Sequence, residues 1–128
     1  MALGLFAMTL AVPYGCKRDH NPLLATPASG ATQLTLTFVS FDTSNAPELR
    51  FVFTAATNLG AVTDLLLGNI AILVDSKPEI PIHLAQDPLI PGHYTLTYRS
   101  RSTNSTSFGG TWHGFYISYG DLPVTYIN

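Results

Sequence analysis

The residues that could do chemistry are few and widely spaced. His83, His93 and His113 fall within or beside three different segments that alternate like strands, and imidazoles converging from separate strands can ligate zinc. Their spacing argues against it: no two stand at close ligand spacing, and no carboxylate neighbours two of them. The single cysteine, Cys16, completes no zinc motif and no internal disulfide. The serines lack a G-x-S-x-G elbow. Asp64, Asp75, Asp87 and Asp121 all fall in turns, where Asp is favoured for its bonds to backbone. Gly109 and Gly110 are not followed by the Lys of a phosphate loop. The expectation is therefore no catalytic residue, no metal and no cofactor. The strongest binding candidates are aromatic. Trp112, Phe115, Tyr116, Tyr119 and Tyr126 crowd the C-terminal region, and alternation puts Phe115 and Tyr119 on one face, with Trp112, Gly114 and Tyr116 on the other. Either Trp112 is the buried tryptophan of a core, or Trp112 and Tyr116, flanked by His113, form an exposed face that stacks on sugar rings or on a protein partner.

The elements that must carry these residues read as strands. Leu34, Leu36 and Phe38 alternate with threonines. Leu49, Phe51, Phe53 and Ala55 alternate with Glu48, Arg50 and Thr54, in a register that a one-residue slip would break by burying Arg50. Residues 69–75 are apolar on both faces (Ile70, Ile72 and Val74 against Ala71 and Leu73), which predicts a central or doubly covered strand. Residues 78–85 predict one strand with Ile80, Ile82 and Leu84 inward, at an edge or with a bulge because Pro81 cannot donate to a ladder. Tyr94, Leu96 and Tyr98 share a face, as do Phe115, Ile117 and Tyr119, and residues 124–127 predict a last short strand. Only residues 62–67 allow a helical turn, and residues 101–110 read as a polar loop. Six or seven short strands separated by turn signals predict an all-β, antiparallel sandwich, with a small barrel as the second architecture.

Composition sets the outer limits. In 128 residues there is room for one core. Charged residues are 11% of the chain, under half the ~25% of ordinary domains, which excludes a disordered solvating chain and a coiled coil. A net charge of -2 attracts no phosphate backbone, so nucleic acid is not an expected partner.

The N-terminus reads as an address. Met1 to Tyr14 holds no charge, and its apolar stretch from Leu3 to Val12 has the length of a signal-peptide core and is too short to span a bilayer. Gly15-Cys16 followed by the polar run Lys17 to Pro22 resembles the start of a bacterial lipoprotein. Pro13 and Tyr14 stand where that family prefers Leu and a small residue, and a basic start is missing. The resemblance implies lipid modification of Cys16, a membrane anchor, and export to the outer membrane or cell surface of a bacterium. Two other readings of the segment are a buried core element with Cys16 as a small core residue, and an apolar strand donated to a neighbouring subunit. The Pro/Ala/Ser/Gly-rich stretch up to Ala31 reads as a flexible tether, giving a division into residues 1–15, 16–31 and 32–128.

Within the last part, Phe53 to Lys77 resembles the bacterial immunoglobulin-like domains of surface proteins. Gly60, Val62, Leu65, Asn69, Ile70, Ile72, Val74, Asp75 and Lys77 match that pattern, while Ala61 and Ser76 replace its usual Pro and Gly. Residues 91–98, PGHYTLTY, are similar to the turn and strand near the end of such sandwiches. This resemblance implies an immunoglobulin-like sandwich in which Tyr94 caps the core and bonds upstream backbone. The resulting expectation is a non-catalytic surface lipoprotein domain acting in binding or adhesion at the cell envelope. The alternatives are a fibre or assembly subunit joined by strand addition, and a carbohydrate-binding module.

Overall fold

The computed structural model describes residues 24–100, 107–110 and 113–128. Cys16, the segment before it and Trp112 lie outside the described residues, and so does the side chain of His113. The chain is all-β. Its strands are β1 Leu34–Asp42, β2 Glu48–Thr57, β3 Gly60–Ala61, β4 Ile70–Val74 and β5 Lys77–Glu79, followed by β6 Pro81–Gln86, β7 His93–Arg99, β8 Ser107–Phe108, β9 His113–Ile117 and β10 Val124–Ile127. They form two sheets rather than a closed barrel. The larger runs β10-β1-β2-β7-β6, with β3 pairing to β2; the smaller runs β8-β9-β4-β5.

Period-2 alternation decides which faces meet. Leu34 and Leu36 of β1, Leu49, Phe51 and Phe53 of β2, and Leu96 and Tyr98 of β7 are fully inaccessible, and Ala55 and Tyr94 nearly so. Ile72 and Phe115 close the core from the smaller sheet. The rings of Phe51 and Phe115 stack across the two sheets with centroids 4.1 Å apart and planes at 4°, and Tyr98 meets Phe115 edge-on at 5.1 Å. Each such buried side chain stabilises the fold by roughly 1.5–3 kcal/mol relative to exposure. The register of β2 is as its charges require: Phe51 faces Leu96 and Phe53 faces Tyr94 across the ladder, while Arg50 is exposed.

Four expectations are corrected. The sheets are mixed, because β10 pairs parallel to β1 and β8 pairs parallel to β9. The chain reaches these edges after crossing from elsewhere, so it arrives running in its neighbour's direction. Ser107 and Phe108, read as loop, are a strand because Phe108 is buried against Phe51. Residues 62–66 are not helical; a short 3-10 turn, Leu67–Asn69, follows them instead. β4 is the central strand that one of its two readings predicts, with β9 and β5 on its two sides, while exposed Ala71 shows that its outer face is not covered. Residues 78–85 are not one strand. The chain leaves the smaller sheet after Glu79, turns at Ile80 and enters the larger sheet at Pro81. Two prolines that cannot donate flank this crossing, and it turns Ile80 (81% exposed) and Ile82 (47% exposed) outward. The edge position of β6 and its irregularity between Pro81 and His83 are as the sequence predicts.

Candidate functional site

The two ends of the sandwich differ in chemistry. At one end, β2 finishes, β7 begins, and the loops carry Asp64, Asp87 and Asp121. Two buried polar groups organise the backbone there. The Tyr94 hydroxyl donates to the Val62 carbonyl at 2.8 Å and accepts from the Leu65 N–H at 3.2 Å, which is the upstream backbone bonding expected of it. Burial raises its pKa, opposed by the Leu65 N–H and helped by the charge of Asp64. Asn69 is buried and uses its whole side-chain capacity. Its Oδ1 accepts from the N–H groups of Ala25 and Leu66, both at 3.0 Å, and its Nδ2 donates to the carbonyls of Ala25 (3.1 Å) and Ser118 (2.8 Å). Ala25, within the stretch read as a tether, is thereby buried against the core. Asn58 adds a second tie, accepting from Thr32 N–H at 2.7 Å and donating to the Gly30 carbonyl at 3.1 Å.

These ties hold residues 26–31 beside the β2–β3 turn and leave a cleft of about 320 Å³. Small residues line much of it: Ala28, Ala31, Gly60 and Ala61, with Leu59 and Val62. Thr26, Thr57, Thr63, Asp64 and Tyr119 are the polar residues that line it. Gly60 has φ +125°, and a Cβ there would meet nothing within 4 Å, so the open space continues past it. The Tyr119 hydroxyl donates to Asp64 Oδ1 at 2.7 Å. Burial first, then this bond and the carboxylate's charge, push the phenol up to about 12. No other donor among the described residues is bonded to Asp64.

The opposite end holds a broader, open groove of about 770 Å³ around the crossing between sheets, lined by Lys77, Pro78, Glu79, Ile80, Ile82 and Arg99. The three described Lys and Arg side chains, Arg50, Lys77 and Arg99, all belong to this half of the molecule, near the start of β2, at the start of β5 and at the end of β7.

No known protein family, curated protein or solved structure matches the chain.

Residue by residue, the structure disperses the histidines. His83 faces Thr97 and His93 faces Thr54, on strands β6 and β7, while His113 opens β9 in the other sheet opposite Val74. Among the described residues no group of three His, Cys, Asp or Glu side chains could hold a metal. Tyr116 lies half-buried on the outer face of β9, and its ring lies close over Gly114, where a Cβ would stand 2.9 Å from it. Asp64 and Tyr119 are the pair that the one-dimensional reading did not single out. Fifty-five positions separate them, and each had a sufficient local explanation, a turn and a core face.

Proposed function

We propose that the chain is a non-catalytic binding module of a cell envelope. In this reading it is exported, tethered through a lipid on Cys16, and built as a sandwich of immunoglobulin-like type. Its partner is an extended segment of another protein that adds to β6. The observation that carries the reading is the crossing between sheets. β6 is an edge of the larger sheet, so one row of its backbone N–H and C=O groups has no neighbouring strand, and natural edges of that kind are ordinarily blunted. Here Pro81 and the irregularity before His83 blunt only its start, His83 to Gln86 run on in regular register, and exposed Ile80 and Ile82 flank it. A strand laid there would take main-chain bonds for affinity and bury alternate side chains for specificity. Lys77 and Arg99, set against the one carboxylate of Glu79, leave the groove with a net positive lining that favours an acidic residue in the incoming segment. The bacterial surface-domain pattern running from Phe53 to Lys77 supports the fold type. The apolar segment before Cys16 supports export.

The same open edge supports a second reading, an assembly subunit in which Leu3 to Val12 of one copy completes the sheet of the next. Tyr116 on the outer face of β9 supports a third, sugar stacking with Trp112 and His113. One experiment separates the first two. The full chain, with a photo-crosslinking residue at position 82 or, as control, at exposed position 71, is irradiated in its native membrane fraction, and its N-terminus is read by intact mass. A chain starting at lipid-modified Cys16 and crosslinked to a different protein only from position 82 is the expected result. An unmodified chain crosslinked to its own residues 3–12 replaces the proposal with assembly. Equal crosslinking from both positions overturns the edge as a docking site.

A further inference from the structure

The acidic end of the molecule carries an unassigned binding site, distinct from the β6 edge. We infer that the cleft beside Tyr119 binds a primary ammonium group on a slim aliphatic stem, with Asp64 as its counter-charge. Three observations carry this. First, Asp64 is the one ionisable group with a formal charge among the residues lining the cleft. Its Oδ1 is held by the Tyr119 hydroxyl at 2.7 Å, and it has no other bonded partner among the described residues. A carboxylate held in one orientation with acceptor capacity to spare recognises a charged N–H donor more strongly than a neutral one. Second, among the described residues the formal charges at this end have one sign: Asp87 and Asp121 lie in its loops, whereas at the other end Arg50, Lys77 and Arg99 are interspersed with Asp42, Glu48, Asp75 and Glu79, so a cation is drawn to this end. Third, the space fits the stem. The cleft is about 320 Å³, at the small end of the range for small-molecule sites. Ala28, Ala31, Gly60 and Ala61 bring no bulky side chain into it, which leaves room for methylenes, and Thr26 and Thr63 are among the polar residues that line it.

The ammonium can come from a free amine or from a lysine side chain of a protein, and both present the same chemistry. The test titrates the full chain with n-butylammonium and separately with n-butanol, following backbone amides by NMR. Saturable shifts confined to residues 60–64 and 119, seen with the amine and absent with the alcohol, are expected. Asp64→Asn, which keeps an oxygen for Tyr119, should weaken binding at least ~10-fold, the worth of one charge-assisted bond. Ala31→Leu, which fills the cleft and leaves the carboxylate, should weaken it as well. Competition by a lysine blocked at both backbone ends assigns the ammonium to a protein side chain; failure to compete, with butylammonium still bound, assigns it to a free amine. Equal shifts with n-butanol, undiminished binding by Asp64→Asn, or no saturable shift overturns the site.

Discussion

A phenol that is buried and bonded to a carboxylate holds its proton against two forces, lost hydration and the neighbouring negative charge. Tyr119 is in that position, and its pKa is pushed from the usual phenol value of about 10 up to about 12 in the fold. Because the folded form binds this proton more tightly than the unfolded form, its contribution to stability is complete below about pH 10. It is lost as pH rises toward about 12. Urea unfolding across that window should show stability falling with pH, and Tyr119→Phe should flatten the slope. Some slope remains in the variant, because Tyr94 and Tyr126 are shifted in the same direction. An identical pH profile in wild type and variant would mean that Tyr119 ionises freely. Tyr94 was legible from the sequence, since its strand and the turn before it carry a recognisable pattern. The Asp64–Tyr119 pair was not, because no local rule joins two loops that only the folded ends bring together.

Strand positions were legible wherever one face is greasy and the other polar. β2 and β7 sit where the alternation of Leu49, Phe51, Phe53 and of Tyr94, Leu96, Tyr98 puts them. The reading failed between Lys77 and Gln86 for a specific reason. Alternation reports that a segment is extended, and both β5 and β6 are, but it cannot report a change of sheet in mid-run. Ile80 and Ile82 keep the period of a buried face while facing solvent. Replacing both by Lys should therefore change stability by no more than about 0.5 kcal/mol per site. Ile72→Ala, in the closed part of β4, should cost about 2–5 kcal/mol. Urea denaturation of the two variants decides it, and a loss from the Ile80/Ile82 variant as large as that of Ile72→Ala would place those side chains inside.

At the scale of the whole molecule, the all-β class and the two-layer core followed from composition and period. The parallel pairing of β10 with β1 did not, because which strand a distant segment joins is decided by packing across the fold. Tyr126 shows how: it meets Phe108 edge-on at 5.0 Å and accepts from the Ile117 N–H at 3.2 Å, so β10 joins the larger sheet while its aromatic side chain reaches the smaller. Pairings this remote in sequence must close long loops before they are rewarded. Refolding from urea, followed by intrinsic fluorescence in a stopped-flow instrument, should accordingly take on the order of milliseconds to seconds; completion within microseconds would contradict the topology. The pairing of Val124 with Leu34 also bears on how the chain is made. β1 emerges from the ribosome long before its parallel neighbour exists, so the row of backbone groups that β10 will take stays unclaimed until residues 124–127 are synthesised. For that interval β1 is a bare edge open to wrong partners, a hazard that the finished fold no longer shows.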